Sequence, residues 1–349
     1  MGNLLAYSGI VTKVRAMSAQ LLTEKNYQEL SELSTIPEIV SYLKHFPPYN
    51  ETFQILSEDQ LHRGNIEKVF IQSLYNDYTK LYRFSGIAHR KYLKLYMKRY
   101  EVDLINYCFR IILNHYEEPF DLNYKKPFFD KYSQISIDKL ITSSSLDEFI
   151  ENLNGTEYYA PLKKLREAGV SKLFDYNLAL ELYYFNAVWK EKKKILQKKE
   201  LDIFTRDTGS KIDLLNLQWI YRSKKYYNML PANIYALLIP IHFHLKKDTL
   251  KELVEAPTLD DFAASAERSY YGRKYNLEAP YSIEQLYKDC LHHLYLADQR
   301  KNPYSIASIN AYLFLKEEEI KRLTTTMECV RYGFTPREIL RYAGGVEKA

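Results

Sequence analysis

Glycine and proline are scarce, 11 and 12 residues in a chain of 349. So few turn formers, beside abundant Leu, Ile, Glu and Lys, favour helices over strands. The glycines never fall in GxGxxG or GxxxxGK[ST] spacing, so no phosphate-cradling loop is expected. Only three cysteines occur, Cys108, Cys290 and Cys329, far apart and without CxxC spacing. An odd, scattered set argues against a disulfide framework or a zinc site and suits a reducing cytoplasm. GxSxG and HExxH arrangements are also missing. Charge of one sign is not in large excess: the net +5 permits an acidic partner without demanding nucleic acid. The opening "MGNLLAYSGIVTKVRAMSAQLL" lacks a basic start, a long apolar run and a small-residue cleavage site, and Ala6 stands where a myristoylation signal wants Ser or Thr.

Long apolar runs are missing too. The stretch Tyr226–Leu245 carries no formal charge, but Pro231, Pro240, Asn228, Asn233, His242 and His244 interrupt it. A spanning helix wants about 20 mostly apolar residues. The expectation is a helix end, a turn over Met229–Ala232 and a buried core helix, with no direct membrane span.

What is present in excess is tyrosine, 33 copies. The ring buries a large apolar area while the hydroxyl stays wet or bonded, which suits helix interfaces and partner surfaces. An AT-rich coding sequence would produce the same bias. With 46% hydrophobic residues the chain can bury one large core or two to three smaller ones.

A short pattern returns three times. "STIPEIVSYLKHFPPY" begins at Ser34, "SSLDEFIENLNGTEYY" at Ser144 and "PTLDDFAASAERSYYG" at Pro257. Thr35, Ser145 and Thr258 each precede an acid by three residues, namely Glu38, Glu148 and Asp261. That is the capping-box pattern. Apolar residues follow at helical spacing: Ile36, Ile39, Val40, Leu43; Leu146, Phe149, Ile150, Leu153; Leu259, Phe262, Ala263, Ala266. Upstream, Tyr27 and Leu30 match Ile137 and Leu140, then Leu250 and Leu253. Aromatics close each copy at Tyr49, at Tyr158 and Tyr159, and at Tyr270 and Tyr271. Ile36 and Leu146 are 110 residues apart, Leu146 and Leu259 are 113. One such match is common, but three in register indicate internal triplication.

Between the copies lie long helical stretches. The first helix is expected over Leu4–Leu22, with Ile10, Val14, Met17 and Leu21 on one side. Asn65–Tyr116 has no proline and a single weak point at Ser85 and Gly86. Ser171–Tyr227 is expected to break near Thr208 and Gly209. Ser282–Asp298 and Ser305–Tyr332 are separated by Asn302 and Pro303. Pro119 and Pro127 punctuate the first linker. "VDLIN", "IDLLN" and "IASIN", ending at Asn106, Asn216 and Asn310, offer a register for the long arms. The expected domains are three helical repeats, 1–118, 119–230 and 231–349, each with short capped helices plus a long helical arm. Single copies are too small to bury both faces of their arms. The fold class is therefore all-α with pseudo-threefold packing, ring-like or funnel-like, or a linear solenoid.

Candidate chemistry is thin. His242 and His244, or His292 and His293, lack a carboxylate partner arrangement, and adjacent helical residues point about 100° apart. The run "KEEEIKR", Lys316–Arg322, is read as a solvated or partner-facing helix with Glu318 and Arg322 paired. "WKEKKKILQKKE", Trp189–Glu200, is read as a solvated face rather than an RNA site. No catalytic, cofactor-binding or metal residue is assigned.

Three stretches together resemble the C-type family of central-stalk proteins in the V/A-type rotary ATPases, related to the d component of the eukaryotic vacuolar V-ATPase. They are "AYSGIVTKVRAMSAQLLTEKNYQEL" at Ala6–Leu30, "STIPEIVSYLKHFPPY" with its two echoes, and "INAYLFLKEEEIKRLTTTMECVRYGF" at Ile309–Phe334. The Tyr- and Lys-rich middle, Tyr183–Tyr227, matches in helical character alone. The resemblance implies a non-catalytic component without cofactors: a funnel of three similar helical bundles in the central stalk. It would seat on the membrane ring of proteolipid (c-type) subunits at the cytoplasmic face and receive the shaft formed by the D and F subunits. ATP chemistry and proton or sodium transport take place in other parts of such a machine. The alternative is a soluble helical-repeat adaptor binding peptide or RNA; an enzyme using Cys or His is a third reading.

Overall fold

A computed structural model describes residues 2–114, 121–275 and 283–344. Among these residues every regular element is helical. In chain order they are α1 (Gly2–Ser18), α2 (Glu24–Ser31), α3 (Ile36–Leu43), α4 (Pro47–Gln54), α5 (Arg63–Arg83), α6 (Ile87–Leu113), α7 (Lys126–Tyr132), α8 (Ile137–Ile141), α9 (Leu146–Asn152) and α10 (Tyr159–Glu167). Then follow α11 (Leu173–Ile195), α12 (Lys198–Tyr227), α13 (Pro231–Leu237), α14 (Lys247–Glu255), α15 (Leu259–Arg268), α16 (Tyr270–Tyr275), α17 (Ile283–Lys301), α18 (Ile306–Arg331) and α19 (Pro336–Tyr342). The all-α expectation holds.

The chain divides into two compact units. The first joins the two ends of the sequence, Met1–Gly86 and Asp298–Ala349; the second is continuous, Ile87–Ala297. In the first, Leu30, Ile39, Leu43, Tyr49 and Phe53 from the short helices pack with Phe70 of α5 and with Leu323 and Met327 of α18. In the second, Phe109 of α6 stacks on Tyr176 of α11 at 4.7 Å and meets Phe149 of α9 edge-on at 5.1 Å. Phe185, Ile212, Ile239 and Ile241 form a further cluster there. The tyrosine excess is used inside: Tyr49, Tyr78, Tyr92, Tyr158, Tyr176, Tyr271 and Tyr312 are among the largest fully buried side chains.

The short helices start where the hydroxyl residues stand. Thr35, Ser145 and Thr258 are extended N-caps, and their side chains accept from the N–H of Glu38, Glu148 and Asp261. The reciprocal bond differs. Glu38 accepts from the Thr35 and Ser34 N–H groups, Glu148 from the Ser144 N–H, and Asp261 from the Thr258 hydroxyl. The full box therefore forms at Thr35 alone of these three. The matched apolar positions are buried: Tyr27 and Leu30, Ile137 and Leu140, Leu250 and Leu253.

Three boundaries differ from the sequence reading. α1 ends at Ser18, short of Leu22. The long middle stretch breaks at Leu196 and Gln197, both extended, rather than at Gly209. Gly209 lies inside α12, where a Cβ would stand 2.6 Å from the Phe243 ring; glycine admits that close approach. After α13 the chain leaves the helical path at Leu238, before Pro240, so Ile239, Ile241 and Leu245 are buried from an irregular segment and not from a core helix. Pro119 and Ser282 lie outside the described residues. Among those residues no helix is long and apolar enough to cross a membrane.

Candidate functional site

The candidate histidines and cysteines are not brought together into a site among the described residues. Among the described residues no cluster of three or more His, Cys, Asp or Glu could hold a metal ion. Cys108, Cys290 and Cys329 are buried. Burial pushes the Cys108 and Cys290 thiols up to about 12, which leaves them protonated and poorly nucleophilic. The His244 ring stacks on Tyr270 at 3.6 Å. Burial, with help from Lys274 and Lys246, pushes it down to about 4. His292 and His293 turn their rings 84° apart at 6.4 Å.

Polar chemistry concentrates instead at buried carboxylates on the long helices; Asp77 of α5 accepts from the Tyr312 hydroxyl at 2.6 Å, and three others each hold a tyrosine that closes a short-helix cluster. On α18, Glu319 is 4% exposed. Its Oε1 accepts from the Tyr49 hydroxyl at 2.5 Å and the Lys316 ammonium at 2.8 Å, and its Oε2 from the Leu22 N–H at 2.6 Å. Lys316 Nζ also donates to the Tyr49 hydroxyl at 2.9 Å. On α6, Glu101 accepts from the Tyr158 hydroxyl at 2.8 Å and the Ser133 hydroxyl at 2.5 Å. Ser133 Oγ in turn accepts from the Ile135 N–H at 3.0 Å. On α12, Asp213 is fully buried. It accepts from the Tyr271 hydroxyl at 3.0 Å and from the N–H groups of Phe243, His244 and Leu245 at 3.2, 2.6 and 3.0 Å. Burial raises the Glu101 and Asp213 carboxyls, and the hydrogen bonds they accept pull the other way. Burial and the facing carboxylate push the Tyr49, Tyr158 and Tyr271 phenols up, so all three remain donors.

These centres correct the reading of "KEEEIKR" as a solvated or partner-facing helix at two of its residues. Lys316 and Glu319 face inward, Glu318 pairs with Lys321, and Arg322 pairs with Glu24 while its guanidinium lies 3.6 Å from the Tyr27 ring centroid. The legible signal was the spacing of Tyr312, Lys316, Glu319 and Leu323 along one helical stripe. In "WKEKKKILQKKE" most lysines are solvated, but Lys192 is buried with its ammonium over the Trp189 ring. Burial pushes Lys192 down to about 8.

Each unit also exposes apolar rings. In the first, Tyr332, Phe334 and Tyr342 form an exposed aromatic row. In the second, Phe174, Leu178, Trp219, Tyr227 and Met229 line a groove of about 610 Å³, bordered by Glu181 and Arg222. Contiguous exposed apolar surface of this kind is typical of partner contacts.

Residues 10–342 match the family described as ATP synthase (C/AC39) subunit. The C component of the A-type ATP synthase of Thermococcus kodakarensis is 25% identical over 348 residues, covering 97% of this chain and 91% of the relative. Its counterpart in Methanocaldococcus jannaschii is 23% identical, covering 97% and 86%. The one from Archaeoglobus fulgidus is 22% identical, covering 97% and 96%. The chain belongs to the ATP synthase (C/AC39) subunit family.

Proposed function

We propose that this member of the ATP synthase (C/AC39) subunit family is a non-catalytic central-stalk (rotor) subunit. In this role it couples the shaft of D and F subunits to the membrane proteolipid ring, at the cytoplasmic face, for ATP-linked proton or sodium transport. The observation that carries the reading is the family match from residue 10 to residue 342, which engages nearly the whole chain rather than one appended domain. The physical character fits. A torque coupler needs stiffness and contact surfaces, not reacting groups. Long helices such as α6, α11, α12 and α18, closed around bonded carboxylates, supply stiffness, and the exposed aromatic row and groove supply contact surface. The three repeats, 1–118, 119–230 and 231–349, belong to the same proposal. They are supported by the matched caps at Thr35, Ser145 and Thr258 and by the matched buried positions around them.

A tagged chain captured from solubilised membranes of the source cell tests the role. Proteolipid ring, D and F subunits and the catalytic head in fixed ratio are expected by mass spectrometry. Recovery alone, or with RNA or unrelated partners in a salt-sensitive complex, would replace this reading with the adaptor.

A further inference from the structure

We propose that Glu101, Asp213 and Glu319 are three copies of one docking site, at which the long arm of each repeat anchors the short-helix cluster of the next repeat, and the last arm anchors the first cluster. This rests on the three-repeat part of the reading above and not on the rotor role.

The copies agree in what they bind. Each carboxylate takes a tyrosine hydroxyl from the residue that closes a cluster: Tyr49 after Thr35, Tyr158 after Ser145, Tyr271 after Thr258. Each also holds the backbone where that cluster begins. Leu22 and Leu245 donate their N–H groups directly, and Ile135 donates through Ser133. Those residues immediately precede Thr23, Lys246 and Ser136, the N-caps of α2, α14 and α8. A single acid thus ties the entrance and the exit of the cluster to one point on a long helix. The position three residues earlier on each helix also reaches the tyrosine. Lys316 donates its ammonium to Tyr49, the Ser210 side chain bonds Tyr271, and the Lys98 carbonyl accepts from Tyr158 at 3.5 Å.

The helices agree in register around the acids. One residue on stand Val102, Leu214 and Ile320; four on, Ile105, Leu217 and Leu323; eight on, Phe109, Tyr221 and Met327. Eight of these nine are apolar, and the ninth is the ring of Tyr221. This register departs from the one suggested by "VDLIN", "IDLLN" and "IASIN". It places the acids 112 residues apart (101 to 213) and 106 apart (213 to 319), close to the spacing of the caps.

The order of docking is cyclic along the chain. The arm α6 of the first repeat holds α8–α10, the arm α12 of the second holds α14–α16, and the arm α18 of the third holds α2–α4. This accounts for a unit assembled from both ends of the sequence: Glu319 and Tyr49, 270 residues apart, bond directly.

Amide hydrogen exchange on the full-length chain tests the proposal. Glu319→Gln should speed exchange in 22–54, Asp213→Asn in 243–275, and Glu101→Gln in 133–167. The acceleration should be about tenfold for the first two, as loss of a charge-assisted bond implies, and severalfold for the third. Tyr49→Phe, Tyr271→Phe and Tyr158→Phe keep the acid and the packing and should reproduce the same three patterns more weakly. Acceleration confined to the substituted long helix, spread evenly over the chain, or displaced to a different cluster would overturn the docking sites. Because the readout is made on the isolated chain, it stands or falls separately from the capture of rotary-ATPase components.

Discussion

Glu319 and Glu101 solve one problem with different means. Both are buried acids on long helices, and both accept a tyrosine hydroxyl. Glu319 has the fully buried Lys316 ammonium beside it, plus a backbone N–H. Glu101 has two hydroxyls and borders a cavity of about 390 Å³ shared with Lys98, Glu157 and Glu191. Lys98 is engaged by those two neighbours, through a short bond to Glu157 and at 3.6 Å to Glu191. Asp213 falls between them, with three backbone N–H donors and, among the described residues, no cation paired to it. The lesson is that the position and partner geometry of the acid recur, while the means of balancing its charge is free to vary with local access to water.

Removing the acid sharpens that contrast most at Glu319. Glu319→Ala leaves Lys316 buried without its carboxylate and should lower unfolding free energy by about 3–5 kcal/mol in denaturant titration. A loss under about 1 kcal/mol would mean that Lys316 simply reaches water. Asp213→Asn keeps the shape but weakens the acceptor for three N–H groups, and a loss of about 2 kcal/mol is expected from the same titration. Losses in the reverse order would break the comparison.

The caps provide an internal control, since they lie on the surface and in each the hydroxyl accepts from the N–H three residues on. Ser145→Ala and Thr258→Ala should each cost about 1 kcal/mol, read as a lowered melting temperature. Unchanged melting in both would remove the shared capping pattern.

The smallest effect is expected at Glu101, less than about 1 kcal/mol at neutral pH for Glu101→Gln. Its signature is the pH dependence. Burial raises the folded carboxyl above its ordinary value of 4.5, so the folded chain binds this proton more tightly than the unfolded chain. Its contribution to stability is full below the ordinary value and declines as pH rises through the raised one. Stability of Glu101→Gln relative to the parent should therefore improve as pH rises through that window. A ratio that moves the other way would place the ionised form as the one the fold prefers.

Much of this was legible in the sequence. The matched caps read from a hydroxyl three residues before an acid, the buried apolar residues beside them from 3.6-residue spacing, the closing tyrosines from their place after each copy, and the α5–α6 junction from Ser85 and Gly86. The carboxylate centres did not. A charged residue on an apolar stripe is ordinarily assigned to solvent, and what turns Glu319 inward is Tyr49, contributed from the far end of the chain. The α11–α12 break is hidden from local pattern for a similar reason. It falls at Leu196 and Gln197, without glycine or proline, whereas Gly209 is required by the ring of Phe243 from another segment. Local pattern encodes elements; contacts between distant segments decide which polar groups go inside.

The most direct test of the central claim is a cryo-EM map of the rotary complex taken from the source membranes, with this chain carrying a fiducial tag. The account predicts tagged density between the proteolipid ring and the lower end of the shaft, turning with both across rotational classes. Tagged density on a static outer stalk, or none in the complex, would contradict it.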